Sequence, residues 1–138
     1  SPNVTDISDI AKAAEDGGAD GVSLVNTFTA MVIDVEKRKS ILGNFTGGLS
    51  GPAIRPIAVH MVYKVAQRVK VPVVAMGGIA SAQDALQFII AGASMVAVGT
   101  QNFVDPRVPL EVLAGIKDYM KRHKVDNIRK IIGSIEKQ

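Results

Sequence analysis

Glycines that follow short apolar runs constrain the fold of this 138-residue chain more than any other feature. The runs at residues 71–76 and 95–98 lead into Gly77-Gly78 and Gly99-Thr100, and helix-like segments follow both. Residues 47–52 contain the glycine cluster that comes first along the chain, and it opens directly into a helix-like segment. Glycine permits positive φ and lets backbone N–H groups approach a ligand, and helix N-termini add partial positive charge. The three junctions therefore predict a phosphate-binding face at one end of a βα barrel.

Apolar patterning predicts three strands in total. The remaining strand lies at residues 22–25, and Gly18-Ala19 before it resembles Gly92-Ala93 before residues 95–98. Such a repeat of helix end, Gly-Ala and strand indicates parallel strands joined by right-handed crossovers. Residues 71–76 show no polar alternation, which is typical of a strand covered on both faces.

Helices are predicted where apolar residues recur three and four positions apart. The clearest spans residues 53–69, and shorter helices are expected near Ile7, after Ser81 and from Asp105-Pro106. A final short helix is expected at residues 128–135. The helix that starts at Asp105-Pro106 should turn four residues inward, namely Val112, Leu113, Ile116 and Met120.

The number of strands is too small for a complete barrel. A closed (β/α)8 barrel needs eight strands and about 250 residues, and three apolar parallel strands would leave bare sheet edges. We therefore expect an α/β fold that is the C-terminal portion of a TIM (β/α)8 barrel, with residues 1–138 forming part of one domain. The rest of that domain is expected before Ser1. Within the connection at residues 28–50, residues 31–33 and 40–42 could pair as a small hairpin.

Composition narrows the classes of function. The chain contains no cysteine, which excludes disulfides, thiolate metal sites and a cysteine base within it. The net charge of +3 comes largely from a tail in which basic and acidic residues alternate, as on a solvated helix face. No apolar run reaches the ~20 residues of a membrane helix, and His60 and His123 lie on polar helix faces. We expect no metal, nucleic-acid or membrane partner and a cytoplasmic location.

Several short strings occur in a specific order along the chain. They are Ser1-Pro2-Asn3, Asn26-Thr27, Gly47-Gly48-Leu49-Ser50-Gly51-Pro52-Ala53-Ile54-Arg55-Pro56, Ala75-Met76-Gly77-Gly78-Ile79 and Val98-Gly99-Thr100. The ordered set resembles the dihydroorotate dehydrogenases, FMN-dependent βα barrels that oxidise dihydroorotate to orotate in pyrimidine biosynthesis. Single glycine pairs recur in many phosphate-binding barrels, whereas the string at residues 47–52 is specific.

The resemblance implies a role for eight residues. The FMN-binding positions would be Val25, Gly51, Gly77, Gly78, Gly99 and Thr100. Asn26 and Thr27 match the family's substrate-binding pair, and an amide can donate to and accept from a pyrimidine ring. The glycines at residues 77–78 and 99 could instead form tight turns without a ligand, and Asn26 could be only a turn residue.

The resemblance also implies what lies outside the chain. It looks closest to the bacterial class that passes electrons to NAD through a partner subunit carrying FAD and an iron–sulfur cluster, in an enzyme expected to be a homodimer. The proton-abstracting base of that class is a cysteine in an earlier segment, so no catalytic residue is expected here. By itself the chain is expected to be inactive, with only the FMN-phosphate site and part of the substrate site.

Two other functions are compatible with the same residues. One is another pyrimidine-directed FMN barrel, similar to the pyrimidine-binding domain of dihydropyrimidine dehydrogenase. The other is a non-catalytic half-barrel that binds phosphate and assembles with itself.

Overall fold

The computed structural model describes residues 1–136, in which short strands alternate with helices. The strands are β1 (Val22–Leu24), β2 (Phe28–Ala30), β3 (Ile33–Asp34), β4 (Lys39–Ser40), β5 (Gly47–Leu49), β6 (Val73–Met76) and β7 (Met95–Ala97). The α-helices are α1 (Ile7–Asp16), α2 (Arg55–Ala66), α3 (Ala82–Ala91), α4 (Thr100–Val104) and α5 (Val108–Arg122). Two single 3₁₀ turns lie at Pro52–Ile54 and Ile128–Lys130.

The central sheet is parallel and has the strand order β1-β6-β7. Ser23 lies opposite Val74, which in turn lies opposite Met95. The connection from β1 to β6 contains α2, and the connection from β6 to β7 contains α3. This confirms the expected α/β arrangement of three parallel strands with flanking helices.

The helices cover one face of the sheet and form the main core. Leu24 and Ala75 are buried, and the half-buried Val96 packs against them. Ala58, Val62 and other buried residues of α2 and α3 pack onto this face. Burying such apolar surface stabilises the folded state by about 25 cal/mol per Å². The interface between helices and sheet therefore helps to hold the strands in place.

The opposite face of the sheet is open over residues 1–136. Ser23 is exposed, Val74 is half-buried and Met95 retains 55% of its accessible surface. The expectation that residues 71–76 are covered on both faces is therefore wrong for this chain. One face meets helices, and the other carries the side chains that a closed barrel would turn inward.

The strand at the second glycine junction begins two residues later than expected. The backbone N–H of Val71 donates to a carboxylate oxygen of Glu15 at 3.0 Å, so Val71 is held by α1 and not by the sheet. Pro72 has no N–H to contribute to a ladder, but its carbonyl accepts from Val22 at 3.0 Å. The ladder therefore starts at Val73.

Residues 28–50 form two antiparallel pairs. The hairpin expected at residues 31–33 and 40–42 exists as β3 and β4, with Ile33 opposite Ser40, and its strands overlap the predicted ones at these two residues. The second pair, β2 with β5, was not predicted; it places Gly48 opposite Thr29. The first glycine cluster therefore lies in a strand at its start and reaches a helix only after Gly51.

Two helix predictions need correction. Residues 128–135 do not form a helix: a 3₁₀ turn ends at Lys130, and Gly133 with φ of +67° interrupts helical geometry. Ile131 nevertheless packs on α3. In α5, Leu113 is 49% exposed rather than inward, because the helix contacts α3 along a narrow face near Gly115, where an added Cβ would overlap that of Ala82.

Candidate functional site

A groove of about 750 Å³ extends from the carboxyl ends of the three parallel strands along β1, where residues of α1 also line it. All eight residues singled out from the sequence line it, although they come from four separate segments of the chain. They are Val25, Asn26, Thr27, Gly51, Gly77, Gly78, Gly99 and Thr100. The size lies within the range of small-molecule and cofactor sites, which are about 300–1,000 Å³. The groove therefore brings together the predicted site residues in one place.

The Gly77–Gly78 loop follows β6 and packs tightly against its neighbours. Both glycines have positive φ, +134° and +74°. A Cβ at Gly78 would lie 2.6 Å from the carbonyl oxygen of Gly51, and one at Gly77 would lie 2.9 Å from the Cβ of Ala58. The fold itself thus requires glycine at both positions, because side chains would collide with the protein.

The Gly99–Thr100 turn follows β7 and is open by comparison. Gly99 has φ of −103°, and a Cβ there would have no atom within 4 Å. Gly51 has φ of +85°, and its Cβ would meet nothing closer than the Cγ2 of Thr100 at 3.8 Å. The protein leaves open space next to these two glycines, and both of them line the groove.

A hydrogen bond links the first glycine cluster to the third. The Thr100 hydroxyl donates to the Ser50 hydroxyl at 2.8 Å. Ser50 is a groove residue that sequence reasoning did not assign; its place in the string before Gly51 was the only signal. The contact joins the end of β5 to the start of α4 across the groove.

The available donors at these turns are mostly backbone amides. Within residues 1–136, the N–H groups of Gly78, Ile79 and Gly99 donate to no protein acceptor. Helix dipoles contribute less to anion binding at these turns than the sequence predicts. Helix α4 is only five residues long, and α3 starts at Ala82, beyond a Ser81 side chain that already accepts from a first-turn amide.

Asn26 and Thr27 follow β1 at the other end of the groove. Asn26 is exposed, and its side-chain oxygen accepts from the Thr27 backbone N–H at 2.8 Å, which leaves the amide NH₂ free to donate. Thr27 is half-buried and lies against Gly48, where an added Cβ would overlap the threonine side chain. Gly48 is thus needed for the close approach of β5 to Thr27.

Asn3 holds this segment in place and was not assigned a role from the sequence. Its side-chain amide donates to the Thr27 carbonyl at 3.1 Å, and its side-chain oxygen accepts from the Thr29 N–H at 2.9 Å. These two hydrogen bonds take the place of those that a neighbouring strand would make along the edge of β2. Its position in the string Ser1-Pro2-Asn3 was the available signal.

Charged groups lie around the groove and not in it. Of residues 1–136, no charged side chain lines the cavity. Lowered carboxyl pKa values occur elsewhere: a side-chain hydrogen bond from Lys64 lowers the pKa of Asp6, and backbone N–H donation from Lys70 lowers the pKa of Glu15. Within the same residues, no cluster of three His, Asp or Glu side chains could hold a metal ion.

The helices of the described residues include none that is long and apolar enough to cross a membrane. The longest, α5, has 15 residues and carries charges along its length.

Comparison with known proteins identifies the family. The model of the family described as "Dihydroorotate dehydrogenase" matches residues 1–120. The chain belongs to the dihydroorotate dehydrogenase family.

Similar proteins in this family are named as subunits of one enzyme class. The chain is 58% identical over 134 residues to the "Dihydroorotate dehydrogenase B (NAD(+)), catalytic subunit" of Alkaliphilus oremlandii, covering 97% of this chain and 44% of that protein. It is 59% identical to the protein of the same name from Brachyspira hyodysenteriae, again over 97% of this chain and 44% of the relative. The chain thus spans less than half the length of these curated relatives.

A solved structure supports the fold. A dihydroorotate dehydrogenase from Eimeria tenella, described in complex with ferulenol, superposes with a TM-score of 0.78 at 30% identity. The match covers 97% of this chain and 36% of that one. The open parallel sheet therefore corresponds to part of a larger dihydroorotate dehydrogenase fold.

Proposed function

We propose that the chain contributes the FMN-phosphate site and part of the substrate site to an enzyme that oxidises dihydroorotate to orotate in pyrimidine biosynthesis. The observation that carries the proposal is the identity of 58–59% to catalytic subunits of dihydroorotate dehydrogenase B over nearly the whole chain. The eight residues around one groove support the same conclusion.

The proposed domain organisation follows from the open sheet. Residues 1–138 would be the C-terminal part of a single FMN-binding βα-barrel domain, and the exposed row of Ser23, Val74 and Met95 would face the barrel interior. The relatives are more than twice as long as the matched segment, which supports this arrangement. The missing strands would cover the sheet edges that the chain leaves open.

The residues present fit FMN. The empty spaces before Gly51 and Gly99 form a cradle that any Cβ would begin to fill. The amides of Gly78, Ile79 and Gly99 would donate to the phosphate, as backbone N–H groups do in anion-binding turns. No acidic side chain of residues 1–136 lines the groove to repel a dianion.

Each part of the groove would have a separate task. When bound, FMN accepts the hydride that the substrate loses. Gly77–Gly78 and Gly99–Thr100 would fix the phosphate, and the buried Val25 would give the flavin an apolar contact. Asn26 would orient the pyrimidine by donating from its free NH₂ group. The proton-abstracting base would come from outside the chain, which contains no cysteine.

The partners proposed are those of the related enzymes. The relatives are called catalytic subunits of an NAD(+) enzyme, so a second subunit is expected. We propose that this subunit carries FAD and an iron–sulfur cluster and takes electrons from FMN, and that the intact enzyme is a cytoplasmic homodimer of catalytic subunits.

The test joins this chain to the segments of the Alkaliphilus oremlandii protein that it does not span. The joined protein should bind FMN, and it should reduce the flavin when dihydroorotate is added, as seen by the loss of flavin absorbance. An Asn26→Ala variant should keep FMN but raise the dihydroorotate concentration needed for half-maximal reduction, by about tenfold for the loss of one or two hydrogen bonds.

The controls separate the alternative functions. Dihydrouracil in place of dihydroorotate would reveal a dihydropyrimidine dehydrogenase-like enzyme if it reduced the flavin and dihydroorotate did not. The unjoined 138-residue chain should show no dihydroorotate oxidation. A joined protein that binds no FMN, together with an unjoined chain that forms a stable dimer, would favour the non-catalytic half-barrel and contradict the proposal.

A further inference from the structure

An ion pair lies directly behind the tight glycine loop. The Arg55 guanidinium, at the start of α2, is 2.8 Å from a carboxylate oxygen of Asp84, in the first turn of α3. Asp84 is buried, with 7% of its surface accessible, while the Arg55 side chain is 30% exposed. A charge this buried needs a partner, because leaving it unpaired is costly.

The second carboxylate oxygen of Asp84 holds the loop itself. It accepts from the backbone N–H of Ala80 at 3.0 Å. Ala80 lies two residues after Gly78, so this bond fixes the path of the chain between β6 and α3. Asp84 therefore links the loop on one side to Arg55 on the other.

Arg55 also lies close to Gly78, and the residue before it is hydrogen-bonded to the Gly51 turn. A Cβ at Gly78 would lie 3.0 Å from the Cβ of Arg55 and 2.6 Å from the carbonyl oxygen of Gly51. That carbonyl accepts from Ile54, immediately before Arg55, at 3.1 Å. The start of α2 is thus wedged between the Gly51 turn and the Gly77–Gly78 loop.

We propose that the Arg55–Asp84 ion pair is a positioning device that sets the spacing between the Gly51 turn and the amides of Gly78 and Ile79, and thereby the affinity for the phosphate of FMN. The proposal rests on the proposed function. Neither side chain lines the groove, so both act through the loop and touch no ligand. A phosphate held by backbone amides depends on such spacing, since hydrogen bonds weaken steeply with distance and angle.

The experiment compares FMN with riboflavin, which has the same ring system without the phosphate. Both ligands are titrated into the joined protein described above and its Arg55→Gln variant. The unsubstituted protein should prefer FMN, and Arg55→Gln should reduce the FMN-to-riboflavin affinity ratio about tenfold, the loss of about one hydrogen bond to a charged group. Arg55→Lys should restore part of the ratio.

The matched control is Lys64→Gln on the same helix. Lys64 pairs with Asp6 at 2.7 Å, with 40% of its side chain exposed, and it lies outside the groove. This variant should leave the ratio unchanged. Hydrogen exchange gives a second readout without a ligand: peptides that contain the Ala80 amide should exchange faster in Arg55→Gln than in Lys64→Gln at equal global stability.

The outcomes are distinguishable. An unchanged ratio in Arg55→Gln overturns the positioning role and leaves the proposed function intact, and so does an unchanged exchange rate at Ala80. An unsubstituted joined protein that binds riboflavin as tightly as FMN overturns the phosphate site, and with it the proposed function and this inference together.

Discussion

The Gly77–Gly78 loop and the Gly99–Thr100 turn look alike in sequence and differ in structure. At the loop, added Cβ atoms would collide with Gly51 and Ala58, and both glycines have positive φ. At the turn, Gly99 has ordinary negative φ and open space around it. The fold explains the first pair without any ligand. No clash and no positive φ account for Gly99, which lines the groove, and a bound ligand is the explanation that the proposed function offers for its lack of a side chain.

Gly78→Ala should cause the largest loss of stability. Positive φ costs roughly 1–2 kcal/mol in an L-residue, and a clash with backbone adds about 1–3 kcal/mol. We expect the free energy of unfolding to fall by about 2–5 kcal/mol in denaturant titrations. Gly18→Ala is the control, because Gly18 has φ of +92° and no atom within 4 Å of an added Cβ, so it measures the backbone cost alone. Equal losses in the two variants would show that the clash with Gly51 adds nothing to the cost of positive φ.

Gly48→Ala should have an intermediate effect. Its Cβ would lie 2.6 Å from the Cβ of Thr27, which side-chain rotation does not move, so we expect a loss of about 1–3 kcal/mol. Because Thr27 would move, dihydroorotate should bind more weakly to the joined protein while FMN affinity stays within about twofold. A fall in FMN affinity with no change in dihydroorotate affinity would contradict the assignment of the Thr27 end of the groove to the substrate and of the glycine turns to FMN.

Acid should weaken the helix layer through Asp6, whereas the Gly99–Thr100 turn contains no titratable side chain. Hydrogen bonds from Lys64 and Ser8 lower the pKa of Asp6 below its ordinary value of 3.8. The stabilisation is therefore complete above about pH 4 and is lost as the pH falls through the lower folded-state pKa. Asp6→Asn should flatten this part of the stability–pH curve, measured by thermal unfolding, whereas Gly99→Ala should leave its shape unchanged.

Gly99→Ala should have the smallest effect on stability and a clear effect on binding. With no clash and no positive φ, the free energy of unfolding should fall by less than it does in Gly78→Ala or Gly48→Ala. The methyl group would enter the cradle, so FMN affinity of the joined protein should fall by about tenfold or more. Unchanged FMN affinity would mean that the open turn holds no ligand.

The sequence allowed these junctions to be found but not to be told apart. Apolar runs that end in glycine predicted β6, β7 and the glycine turns after them, because strand ends and turn chemistry are local properties. The roles of Val25, Asn26 and Thr27 came from the resemblance to the family. The collision between Gly78 and Gly51 depends on a contact between segments 27 residues apart in numbering, which local patterns do not encode. The helix predicted from the isoleucines of residues 128–135 was wrong for a similar reason. Gly133 ends the helical geometry, while Ile131 packs on α3 from a turn.

The most direct test of the FMN site is a crystal structure of the joined protein with FMN. We expect phosphate oxygens to accept from the backbone amides of Gly78 and Gly99 at about 2.7–3.2 Å, with the phosphate in the space that a Cβ of Gly99 would begin to fill. A phosphate bound away from both turns, or a flavin outside the groove, would contradict it.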